Sequence, residues 1–346
     1  MKILHLAAGN RWTGAAAPAF AEVEALRAAA VEAHYAYVGG YKLEAKIGHL
    51  DYTHAVIGKA QNPASFLRSV RAIRRLVEQH GFDVVHAHLT YDHWLARIAV
   101  RGTKARVART FHARRVLRGD PFTRMLVSRT AHLFAVNEAF LGVYPGMVFT
   151  PPPLEHGQFS PDGPNVRGLY GIHSRTKLVT VIGKLSKRRG FEEALSTFAF
   201  LRARMDGVRM MVIGHGEHRP ALEALAADLG ITADLIWAGY HEDDLAEHYR
   251  ASDLLLFTER GSDEGHRAVL EAMACGVPVA AYPVEGVAAL IGAEAVAPAR
   301  DPEALTALAA SLLTHDREQA RREVVARSQE FGYGRAAERL TAAYER

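Results

Sequence analysis

Short runs rich in apolar residues alternate with longer amphipathic stretches along this chain, and the whole pattern occurs twice. In the first half the strand candidates are residues 2–7, 33–38, 83–87, 106–110 and 133–136, and in the second half they are residues 178–182, 208–213, 235–238, 254–257 and 277–280. Helical periodicity lies between them, as in residues 63–80. Strands that alternate with helices predict parallel sheets with crossover helices. The sequence therefore predicts an α/β fold with two such sheets.

A proline-rich stretch separates the two patterns. Three prolines at positions 151–153 precede the turn-forming run Ser-Pro-Asp-Gly-Pro at positions 160–164, and these residue types favour loops. We expect a first domain over residues 1–150, a linker over 151–165, a second domain over 166–330, and a C-terminal helix over 331–346 that packs back on the first domain. Since parallel sheets bind ligands at the carboxyl ends of their strands, we expect the ligand in a cleft between the domains.

Charge is distributed unevenly along the chain. Residues 1–150 carry 20 Lys and Arg against 10 Asp and Glu, whereas the remainder carries 22 against 28. A basic half suits nucleic acid, anionic lipid or an acidic substrate, and charge alone does not choose among them.

No run approaches the roughly 20 apolar residues of a spanning helix, and the first residues form a strand candidate, so we expect a cytoplasmic protein. The single cysteine, Cys275, excludes an internal disulfide and a cysteine-based zinc site.

The most informative segment is residues 261–278, which follow the strand candidate 254–257. Its glycine-flanked opening leads into a predicted helix, and the first amide groups of a helix have no partner within it, which suits a phosphate. Glu271 lies one to two turns into this helix, where a carboxylate can accept both hydroxyl groups of a ribose. An ordinary strand–helix unit with a solvated acidic loop explains the same spacing.

The run Glu-Ala-Met-Ala-Cys-Gly-Val-Pro-Val at residues 271–279 resembles the motif of the family 4 retaining glycosyltransferases. This resemblance implies the GT-B architecture, with two Rossmann-like domains facing a central cleft, and a nucleoside-diphosphate sugar as donor. The family has two glutamates with seven residues between them. Glu271 is the second, while Asp263 stands at the first position with Glu264 beside it, so either carboxylate is a candidate to hold the donor sugar. The resemblance makes Asp263 a catalytic candidate and implies these donor-binding residues: Glu264, Gly265, His266, Arg267, Ala268, Val269 and Glu271.

A second match is the strand end and basic loop at residues 181–190. The family usually has arginine at the position of Lys184 and lysine at that of Arg189, so the two cations are exchanged here. Both supply positive charge where a departing diphosphate develops negative charge, Lys as a point charge and Arg as a planar fork. By resemblance Lys184 and Arg189 are catalytic candidates and Gly183 contacts the donor. A solvated basic loop is the alternative.

Three further residues of the second half belong to shorter family-like pieces. Gly214 lies in the run Val-Ile-Gly-His-Gly at residues 212–216, and Tyr240 and His241 follow a glycine at a strand end. In the family this last loop lies beside the nucleobase, so Tyr240 and His241 are candidates for base contacts. Packing at a strand end explains Tyr240 equally well.

In the first half, the loop of residues 9–16 joins a strand to a helix. It lacks the Gly-x-Gly-x-x-Gly pattern of dinucleotide-binding folds, which argues against a nicotinamide dehydrogenase. By resemblance Gly14 and Ala15 face the donor diphosphate. His112 follows a strand and matches the family's histidine near the reacting sugar, where contact with a hydroxyl group or the anomeric centre is an alternative to acting as a base. His86 and His88 lie at another strand end, and packing explains at least one of them.

We expect neither a metal nor another cofactor. There is no Asp-x-Asp motif, and the pair Asp243 and Asp244 falls at a predicted helix start, where capping is the ordinary role. On the acceptor side, the arginines of residues 63–80 and 112–129 suit an anionic membrane surface and a lipid-linked acceptor. Solvated basic helices are the simpler account. No aromatic-interleaved module for RNA or DNA is present, so no nucleic-acid partner is expected.

The sequence thus favours a retaining glycosyltransferase that transfers a sugar from a nucleoside-diphosphate donor to a hydroxyl acceptor, a cell-surface or lipid-linked glycan, with peripheral contact at the inner face of the membrane. A catalytically silent sugar-nucleotide-binding protein is one alternative, which the altered acidic position and exchanged cations favour. A nucleotide-sugar epimerase or hydrolase is another, and the extended motif at Glu271 argues against it.

Overall fold

The structure is a computed structural model that describes residues 1–9, 15–59, 62–117, 119–187, 189–260 and 266–346. The chain divides into two compact units. Among the described residues, unit 1 comprises Met1–Pro153 together with Phe331–Arg346, and unit 2 comprises residues 154–260 and 266–330.

A seven-stranded sheet forms the centre of unit 1. Its strands are β1 (Lys2–Ala7), β2 (Glu32–Val38), β3 (Thr53–Ile57), β4 (Val84–Ala87), β5 (Arg106–Phe111), β6 (His132–Ala135) and β7 (Met147–Phe149). They lie in the order β3-β2-β1-β4-β5-β6-β7, and every pair is parallel. Successive connections change direction between β1 and β4. In open parallel sheets the carboxyl ends of the strands at such a reversal form a ligand-binding crevice.

The first five helices cover both faces of this sheet. They are α1 (Ala16–Ala28), α2 (Lys42–Ile47), α3 (Pro63–His80), α4 (Thr90–Ala99) and α5 (Pro121–Val127). Local signals set the ends of α3. The Asn62 side chain accepts a hydrogen bond from the Ser65 amide at 2.8 Å, and Gly81, with φ at 67°, ends the helix in the left-handed conformation. Ile73 and Val77 on the inner side of α3 are buried against the sheet.

Unit 2 has a five-stranded sheet with the same topology. Its strands are β8 (Lys177–Ile182), β9 (Val208–Ile213), β10 (Leu235–Gly239), β11 (Leu254–Phe257) and β12 (Val279–Ala281), in the order β10-β9-β8-β11-β12 and parallel throughout. Its helices are α6 (Phe191–Arg204), α7 (Arg219–Asp228), α8 (Leu245–Ala251), α9 (Arg267–Ala274), α10 (Val287–Ile291), α11 (Pro302–Thr314) and α12 (Arg317–Ser328). The reversal between β8 and β11 repeats the crevice-forming arrangement of unit 1.

The last helix, α13 (Tyr333–Tyr344), belongs to unit 1 and packs along α1. Leu340 and Tyr344 are fully buried in the same apolar cluster as Leu26 of α1. The Tyr344 hydroxyl lies 2.6 Å from Nδ1 of His86, and the Arg106 guanidinium donates to the Tyr344 carbonyl. The end of the chain is therefore tied into the core of unit 1.

The predicted parallel-sheet α/β class is confirmed, and the differences from the predicted elements are local. Strands β3 and β7 were not predicted, because each is short and mostly only partly buried, so its apolar run is too brief to stand out in the sequence. The last predicted strand, residues 277–280, is shifted to Val279–Ala281 because Pro278 has no amide hydrogen to donate to the ladder. In the described part of the chain no helix is both long enough and apolar enough to cross a membrane.

Candidate functional site

Three glycines end neighbouring strands at the carboxyl edge of the sheet in unit 2. Gly183 follows β8, Gly214 follows β9 and Gly239 ends β10, and all three have positive φ. The Gly214 amide donates to the Gly239 carbonyl at 2.6 Å. A Cβ atom on Gly214 would lie 1.9 Å from the Gly183 carbonyl oxygen, so only glycine permits this approach. The three glycines line this edge with backbone rather than side chains, which allows a ligand to come close.

The basic loop after β8 is pinned to the end of β11. Gly190 begins α6 with φ at 79°, and a Cβ atom there would lie 2.0 Å from the Thr258 carbonyl oxygen. Nη1 of Arg189 donates to Oε1 of Glu259 at 2.8 Å, and the Glu259 side chain is largely buried. Lys184 is exposed, with Nζ 3.9 Å from Oε2 of Glu217. Arg189 is therefore held in place by a carboxylate, while Lys184 extends from the surface.

The start of α9 lies beyond β11. His266 precedes the helix in the left-handed conformation, with φ at 49°, and its Nε2 donates to the Glu285 carbonyl at 2.9 Å. Such a backbone costs a residue with a side chain on the order of 1 kcal/mol or more, and strain of this kind concentrates at functional sites. The Val269 side chain is fully buried, so only its backbone can reach a ligand. Arg267 and Ala268 complete the first turn, where helix amides lack an acceptor in a preceding turn.

Glu271 is buried on α9 between two donors. Its Oε1 accepts from Nε of Arg267 at 2.6 Å and its Oε2 accepts from the Tyr249 hydroxyl at 3.2 Å. Burial, together with the charge of Glu271, raises the pKa of Tyr249 well above its usual value, so the phenol stays a donor. A carboxylate has about four acceptor positions. These two bonds orient the Glu271 carboxylate, a group that can accept several hydrogen bonds at once.

Tyr240 and His241 both follow β10, but the Tyr240 ring is exposed whereas the His241 ring is held by hydrogen bonds. Tyr240 is 61% exposed, and its hydroxyl donates to Oε2 of Glu242 at 3.0 Å. His241 has Nδ1 at 2.9 and 3.0 Å from the two carboxylate oxygens of Asp244, and Nε2 at 2.9 Å from the Ala238 carbonyl oxygen. Both ring nitrogens of His241 are thus engaged. Asp244 stands at the start of α8, as predicted, but its side chain makes no capping hydrogen bond, and the carboxylate instead contacts His241.

In unit 1, His112 follows β5 and is partly exposed. Its Nε2 lies 2.9 Å from Nδ1 of His88. Desolvation, and next the charge of Arg109, lower the pKa of His112 to about 3, so the imidazole is neutral near pH 7. Ala15 is buried immediately before α1. The predicted site residues Gly14, Asp263, Glu264 and Gly265 lie outside the described residues.

A cluster of buried titratable groups lies next to His112. His5, His86 and His88 are fully buried, and Oε2 of Glu22 lies 3.6 Å from Nδ1 of His5, 3.8 Å from Nδ1 of His86 and 3.7 Å from Nε2 of His88. Three histidines and one carboxylate at this spacing can hold a metal ion. In the described ranges two more groups have suitable donor atoms close together. One group is Glu32, His34 and His80, and the other is His241, Asp244 and His248.

Two parts of these sites were missed from the sequence. Glu259, which fixes Arg189, follows β11 in an unremarkable Phe-Thr-Glu-Arg run. Glu22 interrupts the otherwise apolar inner side of α1, and this single charged residue was the available signal. Burial raises the pKa of Glu22 well above its usual value. Each of these carboxylates lies beside side chains that are far away in the sequence.

Both halves of the chain match known protein families. Residues 13–141 match the family described as Glycosyltransferase Family 4, and residues 176–315 match the family described as glycosyl transferases group 1. A D-inositol 3-phosphate glycosyltransferase of Geodermatophilus obscurus is 29% identical over 83% of this chain and 72% of its own length. A GDP-mannose-dependent α-(1-6)-phosphatidylinositol monomannoside mannosyltransferase of Mycolicibacterium smegmatis is 26% identical over 60% of this chain. The chain spans 60% of that relative's length.

The fold is also that of solved GT-B structures. Anabaena HepE, solved in complex with UDP, superposes with a TM-score of 0.82 at 16% identity, over all of both chains. At this identity the likeness concerns the fold. The predicted GT-B architecture, as two parallel-sheet α/β domains, is therefore confirmed.

Proposed function

Because the chain belongs to the family 4 glycosyltransferases, we propose that it transfers a sugar from a nucleoside-diphosphate donor to a hydroxyl group of an acceptor, with retention of anomeric configuration. One observation carries the proposal. The glycine-lined strand ends, the held cation Arg189, the start of α9 and the buried Glu271 all belong to the carboxyl edge of one parallel sheet. This edge offers backbone amides, positive charge and an oriented carboxylate, the groups that a nucleoside diphosphate requires.

The diphosphate binds, in this proposal, to the first turn of α9 and the loop after β8. The helix amino terminus carries a partial positive charge and favours an anion. Arg189 is fixed by Glu259 at 2.8 Å, so its remaining guanidinium donors need little reorganisation to meet an oxygen of the leaving group. Lys184 adds a mobile charge. We propose that these cations stabilise the departing diphosphate without a metal at that position.

The ribose binds to Glu271, whose carboxylate is oriented by Arg267 and Tyr249. The nucleobase lies beside the loop after β10, where the exposed ring of Tyr240 offers a stacking face. His112 contacts the reacting sugar as a neutral imidazole, able to accept or donate one hydrogen bond. Asp263 or Glu264 holds a sugar hydroxyl group.

A panel of UDP-, GDP- and ADP-sugars tests the proposed reaction. We expect one donor class to be consumed, with a product of the same anomeric configuration as the donor when an acceptor alcohol is present. Nuclear magnetic resonance of the anomeric proton measures both consumption and configuration. Binding without turnover across many acceptors would instead identify a silent binding protein, and a changed sugar without acceptor would identify an epimerase. If no donor is bound or consumed, the proposal fails.

We further propose that the acceptor is a glycan or lipid-linked alcohol that the enzyme meets at an anionic membrane surface. The relatives named above act on inositol phosphate or phosphatidylinositol compounds. In unit 1, α5 presents Phe122, 70% exposed, and Met125, 40% exposed, with Arg124 and Arg129 also exposed. Exposed aromatic and aliphatic groups flanked by arginine suit the headgroup region of an anionic bilayer.

Vesicle binding tests this surface. We expect the double substitution Phe122→Ser and Met125→Ser to weaken binding to phosphatidylglycerol vesicles by about tenfold or more, since burying one such side chain contributes about 1.5–3 kcal/mol. Co-sedimentation measures the change. Leu169→Ser is the matched control, because Leu169 is 76% exposed in unit 2. Equal binding by all three proteins would contradict a role for α5.

A further inference from the structure

Four donor atoms in unit 1 surround a common point in the core. Oε2 of Glu22 lies 3.6–3.8 Å from one ring nitrogen each of His5, His86 and His88. These separations exceed hydrogen-bonding distance. Ligands of a tetrahedral zinc ion, bound at 2.0–2.2 Å, lie on the order of 3.3–3.6 Å from one another. The spacing around Glu22 is thus close to that of a metal's ligands.

We propose that one divalent transition metal ion binds to His5, His86, His88 and Glu22. The chemistry of these donors favours Zn²⁺. Imidazole nitrogens suit Zn²⁺ and its neighbours in the first transition series, and one carboxylate completes a four-coordinate shell. The site is distinct from the donor-binding edge of unit 2, where we propose no metal.

The fold presents these donors from three elements. His5 on β1 and His86 on β4 are register partners in adjacent parallel strands, so their side chains lie on the same face of the sheet. His88 lies two residues after His86, immediately past the end of β4, and Glu22 approaches from α1. His5 and His86 lie within β1 and β4, the two strands between which the connections of unit 1 change direction.

The unpartnered carboxylate oxygen is a second, independent observation. Within the described ranges, Oε2 of Glu22 accepts no hydrogen bond although it is completely enclosed. A buried carboxylate oxygen without a donor is costly. A cation at the centre of the cluster would satisfy this oxygen and bind one nitrogen of each imidazole.

Two of the three histidines have a partner at the ring nitrogen that would face away from the metal. Nε2 of His86 lies 2.7 Å from Oγ1 of Thr110, and Nδ1 of His88 lies 2.9 Å from Nε2 of His112. Such partners fix the orientation of a ligating ring. Binding requires two local changes: Nδ1 of His86 gives up its contact with the Tyr344 hydroxyl at 2.6 Å, and Nδ1 of His5 moves away from Nε2 of His88, now at 2.9 Å.

The ion would also act on His112. With Nε2 of His88 bound to the metal, Nδ1 of His88 carries the proton and donates to Nε2 of His112. The remaining nitrogen of His112, Nδ1, then carries that ring's proton and is a donor. The metal site would therefore set the tautomer of His112.

Metal content as purified tests the proposal. Because all four ligands are buried, the ion enters during folding, so we would express the full chain with added Zn²⁺, wash it with EDTA and measure metal by plasma mass spectrometry. We expect about one Zn²⁺ per chain. Glu22→Gln and His5→Gln should reduce the content to background. The matched control His34→Gln with His80→Gln removes imidazoles from the other histidine cluster of unit 1 and should retain the ion.

A measurement on the unsubstituted chain covers the case in which the variants do not fold. Expression with Co²⁺ in place of Zn²⁺ should give the intense visible absorption of four-coordinate cobalt. Wild-type protein that carries neither Zn²⁺ nor Co²⁺ would overturn the proposal. So would folded Glu22→Gln and His5→Gln proteins that keep the full metal content.

Discussion

Replacing Glu271 with glutamine is expected to lower kcat/KM for the nucleotide sugar by about 100-fold. A hydrogen bond to a charged group contributes about 1.5–3 kcal/mol, and two ribose hydroxyl groups depend on this carboxylate in the proposed site. Glutamine matches the shape of glutamate but accepts at only one of its two terminal atoms. It also loses the ion pair with Arg267, at 2.6 Å, that orients the side chain.

Steady-state kinetics with varied donor measure this effect, and thermal unfolding checks that the variant is folded. Tyr249→Phe is the matched control, because it removes one donor to Oε2 of Glu271 and leaves the carboxylate. We expect that control to lose about tenfold or less, because the carboxylate and its ion pair with Arg267 both remain. A folded Glu271→Gln enzyme with unchanged kcat and KM would remove Glu271 from the donor site.

Replacing Gly214 with alanine is expected to lower the free energy of unfolding of unit 2 by more than about 4 kcal/mol. Single substitutions cause losses of this size only exceptionally, through defects such as a severe steric clash. The new Cβ atom would lie 1.9 Å from the Gly183 carbonyl oxygen, and φ at 135° is a region that residues with a side chain rarely adopt. The obstacle is backbone on an adjacent strand end, which cannot rotate away as a side chain can. Strands β8 and β9 would have to separate where their carboxyl ends meet.

Urea unfolding, followed by circular dichroism, measures this loss. Gly239→Ala is the matched control, since φ at Gly239 is 86° but no described atom lies within 4 Å of a Cβ atom there. Backbone strain alone costs about 1–3 kcal/mol. Equal losses in the two variants would show that the close approach of Gly214 to Gly183 does not decide the stability of this edge.

Much of the fold follows from local sequence. Helix α3 begins at Pro63 after a capping Asn62 and ends before Gly81, and each of these signals is readable without tertiary structure. Strand β11 is a continuous apolar run and β9 is apolar except for Arg209, and both have the bounds that the pattern predicts. By contrast β7 spans three half-buried residues, and its pairing with β6 is set by the rest of the sheet.

In the candidate site, too, some residues can be predicted from local sequence and others cannot. Glu271 and Arg189 are predictable because a recurrent motif surrounds each of them, and both lie at the same edge of unit 2. Their partners are not predictable from the motif: Tyr249 comes from α8, and Glu259 follows β11, 70 residues after Arg189. The histidine and Glu22 cluster in unit 1 joins β1, α1 and β4 in the same long-range manner.

A crystal structure with bound nucleoside-diphosphate sugar tests the central claim most directly. We predict that the diphosphate lies at the first turn of α9 within hydrogen-bonding distance of Arg189, and that both ribose hydroxyl groups donate to Glu271. A donor whose diphosphate and ribose bind away from α9, with neither ribose hydroxyl group in contact with Glu271, would contradict the account.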